Sequence, residues 1–125
     1  MPIPRISKED LKARLDAAET TTPPVIIDVR LKYPYEHSTV ELPGAVRIDP
    51  DHVDSGKIPS GRDVVAYDSD PDEIVSARVT ATLIAAGRTA FALKGGIAEW
   101  MGASLPTQTK EARRQAPPTP GALKG

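Results

Sequence analysis

Cysteine is missing altogether from the 125 residues. Its absence removes disulfides, thiolate metal ligands and every mechanism that starts from a cysteine nucleophile. Aromatic side chains are scarce, at 4%, with one Trp and one Phe. No apolar run approaches the roughly 20 residues that a membrane helix requires, so the sequence predicts no transmembrane segment and no membrane partner. An excess of positive charge is also lacking. The formal net charge is -1, which argues against a nucleic-acid binder. The first residues, MPIPRISKEDLKARL, contain no continuous apolar stretch and no small-residue cleavage site. A cytoplasmic location is the expectation. What remains is 39% hydrophobic and 26% charged residues, the composition of one globular domain.

Two regions differ in character. Residues 107–125, TQTKEARRQAPPTPGALKG, carry four basic groups and one acid and almost no large apolar side chain. They are expected to form a flexible Pro-rich C-terminal tail following a domain of residues 1–106. That domain holds 12 basic and 16 acidic groups and is mildly acidic.

Ser7-Lys8-Glu9-Asp10 forms a capping box flanked by Ile6 and Leu11, which predicts a helix from Lys8 to about Ala18. Val25–Val29, Ala45–Ile48, Val64–Tyr67 and Ala90–Leu93 are short apolar runs suited to strands buried on both faces, and Ile3–Ile6 adds a candidate edge strand. A long helix is predicted from Asp70 to Gly87. Asp70 suits its N-cap, Pro71 its first position, Glu73 its third, and Gly87 its left-handed stop. Strands alternating with helices predict an α/β domain with a parallel sheet of four to five strands flanked by helices.

In open parallel sheets ligands bind beyond the carboxyl ends of the strands, which directs attention to Asp68-Ser69-Asp70-Pro71-Asp72-Glu73 after the Val64–Tyr67 strand. Four pieces in order resemble the rhodanese family. They are Asp28-Val29-Arg30, Leu42-Pro43-Gly44-Ala45, the Val64–Tyr67 strand leading into the active-site loop, and Leu93-Lys94-Gly95-Gly96-Ile97-Ala98-Glu99-Trp100. The resemblance covers about residues 5 to 106 and implies a rhodanese-like domain. In that family the residue after the strand is the cysteine that accepts sulfur as a persulfide; here it is Asp68. A carboxylate cannot form a persulfide. Glu41 likewise stands where the family usually has histidine.

The resemblance therefore implies a catalytically inactive domain acting as a binding or regulatory module, with no residue assigned to catalysis and no cofactor or metal. The candidate binding residues are Asp68, Ser69, Asp70, Asp72, Glu73 and Arg78, the equivalent of the active-site loop. Each also has a plainer role. Asp70, Asp72 and Glu73 are what a helix favours in its first turn, and Asp68 could cap loop amides. Asp28 and Arg30 suit structural hydrogen bonds at a strand end, Trp100 suits the core, and His37 and His52 suit loops. The alternative from another class is a metal-dependent phosphohydrolase-like site, because Asp68-Ser69-Asp70 resembles the first motif of haloacid-dehalogenase-type enzymes. A protein partner is compatible with the sequence, which names neither the partner nor an oligomeric state.

Overall fold

The computed structural model describes residues 3–69 and 72–110. Seven strands and four helices follow one another: β1 (Arg5–Ile6), α1 (Lys8–Asp16), β2 (Val25–Asp28), α2 (Lys32–His37), β3 (Val40–Glu41), β4 (Val46–Arg47), β5 (Val64–Tyr67), α3 (Ile74–Ala85), β6 (Ala90–Leu93), α4 (Gly96–Gly102) and β7 (Gln108–Thr109). Five strands form a parallel sheet in the order β1-β6-β5-β2-β4. The expected parallel α/β sheet is thus present, with five strands.

All four residues of β2 and of β5 are buried, as their unbroken hydrophobicity predicted. Alternate residues feed opposite faces. Val25, Ile27, Val64 and Ala66 pack with Val75, Val79 and Leu83 of α3. Ile26, Val65 and Tyr67 pack with Leu11 of α1 and Ile97 and Trp100 of α4. Trp100 is fully buried, and its Nε1 donates to the Pro106 carbonyl at 2.7 Å.

Helix ends follow local chemistry where local chemistry is all that acts. Asp10 N–H donates to Ser7 Oγ at 3.0 Å, so α1 has the expected N-cap. At the end of α3, Gly87 adopts φ +89°, its N–H reaches the Ile84 carbonyl, and Arg88 N–H reaches that of Leu83. That bonding pattern is a Schellman stop. The start of α3 differs from expectation. The helix begins at Ile74, and Glu73 precedes it in a left-handed conformation with φ 60° and ψ 31°. The N-cap expected at Asp70 and the first position expected at Pro71 lie outside the described residues.

A short strand follows residue 106. Gln108 and Thr109 pair antiparallel with Glu41 and Val40. The Gln108 side chain donates to Glu41 Oε2 at 2.7 Å and accepts from Gly44 N–H at 3.1 Å. Two polar residues thereby become a strand through their partners, with no hydrophobic pattern of their own. The rest of the tail, residues 111–125, lies outside the described residues.

Candidate functional site

The chain moves outward across the sheet from β2 to β4 and then returns through β5 to β6, so the topological switch falls between β2 and β5. In such a fold the crevice beyond the carboxyl ends of these two strands is the place for a ligand. Among the described residues there, Asp28 and Arg30 after β2 and Tyr67 and Asp68 at the end of β5 are buried.

On the β2 side, the Asp28 carboxylate is fully buried and accepts from Arg30 N–H, Nε and Nη2, the last at 2.6 Å. Tyr67 Oη donates to Asp28 Oδ2 at 3.0 Å and accepts from Leu42 N–H at 3.2 Å. Arg30 also donates to the Val40 carbonyl, and Arg47 closes over the turn by donating to the Arg30 carbonyl at 2.5 Å. Burial opposes the charge on Arg30, yet the hydrogen bonds and charge of Asp28 hold its pKa above the ordinary value. Burial, followed by the Asp28 charge, pushes the Tyr67 hydroxyl far above its usual range. The Asp28-Val29-Arg30 motif is thus a buried, satisfied structural network, as the plainer sequence reading has it.

On the β5 side, Asp68 has no solvent exposure. Its Oδ2 accepts from Ser76 N–H in the first turn of α3 at 2.7 Å, and its carbonyl accepts from Ile97 N–H in the first turn of α4 at 3.0 Å. A Cβ on Gly96 (φ +61°) would fall well inside contact distance of that same carbonyl oxygen. Glycine is required there both for its backbone angle and for the close approach of two chain segments. The Asp68 carboxylate therefore occupies a helix N-terminus, the feature that otherwise attracts an anionic ligand.

The remaining candidates separate into different environments. Glu73 is buried, and its carboxylate accepts from Arg5 Nε at 2.7 Å, Arg5 Nη2 at 2.5 Å and Gly95 N–H at 3.1 Å. The Arg5 hydrogen bonds hold its pKa below the usual carboxylate value, against the opposing effect of burial. Glu73 is therefore not the first-turn acid expected, because a cation from the edge strand claims its side chain. Ser69 is half-buried and Asp72 is exposed. Asp70 lies outside the described residues. Arg78 does not serve the loop: α3 begins at Ile74, which puts Arg78 one turn further along the same exposed face, and it faces Asp51 at 3.5 Å. His52 lies 3.3 Å from Asp49 at the surface, and His37 tilts against Tyr33.

Sequence reasoning missed Arg5, Ser76 and Gln108. Arg5 and Glu73 are 68 positions apart, and Gln108 and Glu41 are 67 apart, so no local pattern could pair them. For Asp68 the signal was its place after a buried strand and before a helix.

Among the described residues, no group of three or more His, Asp or Glu is arranged to hold a metal ion. Nor is any helix among them long and apolar enough to cross a membrane.

Comparison with known proteins agrees with this architecture. The sequence profile of the rhodanese-like domain matches residues 7–103. A full-length protein from Lactobacillus plantarum superimposes with a TM-score of 0.73 at 24% identity, covering 84% of this chain and 87% of that one. A protein from Anabaena sp. gives 0.69 at 23% identity over 88% and 87% of the two chains. A rhodanese-related protein from Thermoplasma volcanium gives 0.62 at 15% identity over 84% and 97%. At these identities the structural likeness speaks for the fold alone. None of the curated proteins matches the sequence.

Proposed function

The chain belongs to the rhodanese-like domain family, and we propose that within it this domain is a non-catalytic binding module. Sulfur transfer through a persulfide requires a thiolate, and the sequence contains no cysteine. The observation that carries the proposal is the Asp68 carboxylate, fully buried and bonded to Ser76 N–H at 2.7 Å. An oxyanion arriving at this helix terminus would have to displace a tethered carboxylate already seated on the amide and then approach its negative charge. A nucleophilic or metal-ligating carboxylate must present an oxygen to its substrate. The burial of Asp68 argues against the phosphohydrolase alternative for the same reason.

With Asp68 and Glu73 buried, a partner at the described part of the loop would meet Ser69, Asp72 and the side chain of Ile74, which is 64% exposed.

Two measurements test the reading. Thiosulfate:cyanide turnover is expected to stay at the no-enzyme level, and amide shifts of residues 68–78 are expected not to respond to thiosulfate, sulfate or Mg²⁺ at millimolar concentration. Turnover, or saturable shifts with either anion, would defeat the closed-cradle reading. Micromolar Mg²⁺ binding accompanied by phosphate-ester hydrolysis would replace it with the phosphohydrolase.

A further inference from the structure

The twelve residues of α3 contain a single charged side chain, Arg78, whereas the nine of α1 contain six. A helix on the surface of a domain ordinarily turns charged residues to water. In α3 the inward face carries Val75, Val79 and Leu83 with the hydroxyl residues Ser76 and Thr80, all buried. The outward face is apolar as well. Ile74 is 64% and Ile84 40% exposed, Ala81 and Ala85 are exposed, and Ala77 is half-buried. At 3.6 residues per turn these five positions fall within an arc of about 100°, with Arg78 at its edge. That is the width of the stripe by which a helix packs on a neighbour, and its exposure shows that the described chain leaves it uncovered.

The spacing of the stripe indicates what fits it. Closed dimers are built on a two-fold axis, so a surface that pairs with its own copy must match itself when read in the opposite direction. Ile74 and Ile84 lie five residues to either side of Val79, and Ala77 and Ala81 two residues to either side. An axis level with Val79 therefore sets Ile74 opposite Ile84 of a second copy and Ala77 opposite Ala81, in an antiparallel pair of helices. The large side chains close the two ends, and the alanines between them let the helix axes approach to about 8 Å. The antiparallel sense also opposes the two macrodipoles. Charge fits the same arrangement. Arg78 stands one residue from the axis and 3.5 Å from Asp51, both more than half exposed, so two such pairs meet there as an alternating set of four. Pro50 and Val53, which border a cavity of about 330 Å³ with Arg78 and Thr82, continue the surface on that side.

We propose that α3 is a self-association surface through which two copies of this chain form an antiparallel, two-fold dimer. The helix is about 18 Å long. Even with the loop of residues 50–53 the total area buried falls below about 1,200 Å², which makes the dimer a weak one that forms at high-micromolar concentration. The proposal does not rest on the binding-module reading, which concerns Asp68 and its seat. Ile74 is common to both surfaces, so a second copy and a partner at the loop would compete for it.

Sedimentation of the full-length protein from low-micromolar to millimolar concentration should show a monomer–dimer equilibrium. Ala81→Glu places a good helix former at an exposed position but sets a carboxylate in the middle of the contact, and should weaken the dimer about tenfold or more. Unchanged Trp100 fluorescence and an unchanged unfolding midpoint confirm that the variant is folded. The register is read with cysteines, of which the chain has none. Ile74→Cys and Ile84→Cys chains, mixed under mild oxidation, should give the mixed disulfide. Neither should cross-link alone, because like positions stand about 15 Å apart along antiparallel helices, beyond the roughly 4.4–6.8 Å between Cα atoms that a disulfide spans. A wild type that stays monomeric at millimolar concentration overturns the proposal and leaves the face to a partner of another kind. A dimer indifferent to Ala81→Glu puts the contact elsewhere and overturns it too. So does cross-linking of Ile74→Cys chains to one another in place of the mixed product.

Discussion

Replacing Asp68 by alanine separates a carboxylate that holds the fold together from one that the fold tolerates for the sake of chemistry. The side chain is fully buried and gives Ser76 N–H its acceptor at 2.7 Å. A hydrogen bond to a charged group contributes about 1.5–3 kcal/mol, and loss of a helix N-terminal acceptor costs about 0.5–2 kcal/mol. These describe the same contact from two sides and are not summed. Alanine should therefore destabilise by about 2–3 kcal/mol, or roughly 10 °C in Tm for a domain of this size. Asparagine keeps an acceptor without the charge and should lose about half as much. Urea unfolding can be followed through Trp100, the sole tryptophan, whose indole is fully buried. Formate or acetate should recover part of the Tm in Asp68→Ala and leave the wild type unaffected, because only the variant presents an empty anion seat. The reasoning fails if Asp68→Ala is as stable as the wild type or more so. That result is the signature of a residue kept against its own energetics for function, and it would return Asp68 to the list of chemical candidates.

Asp28→Ala should cost more, about 3–5 kcal/mol, because it strands the buried Arg30 guanidinium without its partner; Tyr67→Phe, which leaves the ion pair intact, should cost about 1–2 kcal/mol in the same urea assay. Gly96→Ala should unfold the loop junction or lower the denaturation midpoint by about 2 kcal/mol or more, since its Cβ meets the Asp68 backbone at positive φ; a neutral result would mean that the two segments can separate freely. Glu73 has a folded-state pKa below its ordinary value of 4.5, so its contribution is fully present above that value and fades as pH falls through the folded one. The stability gap between wild type and Glu73→Gln should accordingly be constant near neutral pH and shrink below about pH 4.5, as acid titration of the unfolding midpoint would reveal. Gln108→Ala removes bonds to both Glu41 and Gly44 and should cost about 1–2 kcal/mol; an unchanged midpoint would detach β7 from the cooperative unit.

The sheet was legible because it needs only composition to declare itself. Val25–Asp28 and Val64–Tyr67 are buried on both faces, and such strands are continuously apolar wherever they occur. The α1 cap was legible because Ser7 and Asp10 bond three residues apart. The start of α3 was not. Its Asp-Pro-x-Glu segment carries the statistics of a local cap, but Ser76 N–H is satisfied by Asp68, eight residues earlier at the end of the preceding strand, and Glu73 is claimed by Arg5. Once tertiary partners take over both duties, the helix can begin at Ile74 with a left-handed residue before it. Similarly, β7 is invisible in sequence because Gln108 becomes a strand residue only by virtue of Glu41 and Gly44.

These two carboxylates also explain how the loop can keep its architecture without a cysteine. Asp68 satisfies a helix amide from the inside through its side chain, and through its carbonyl it fastens the start of α4. Glu73 ties the far end of the loop to the edge strand and to Gly95. An anion seat of this kind is costly to leave empty, because unsatisfied buried amides lose their hydration with nothing in return. A relative with a cysteine at position 68 can fill the seat with a reacting group or its substrate. In this chain the buried Asp68 carboxylate fills it, and the glycine turn and the closing hydrogen bonds are present around it. The energetic demand that shapes the loop is thus separable from the reaction, and Asp68→Ala with formate tests that separation directly.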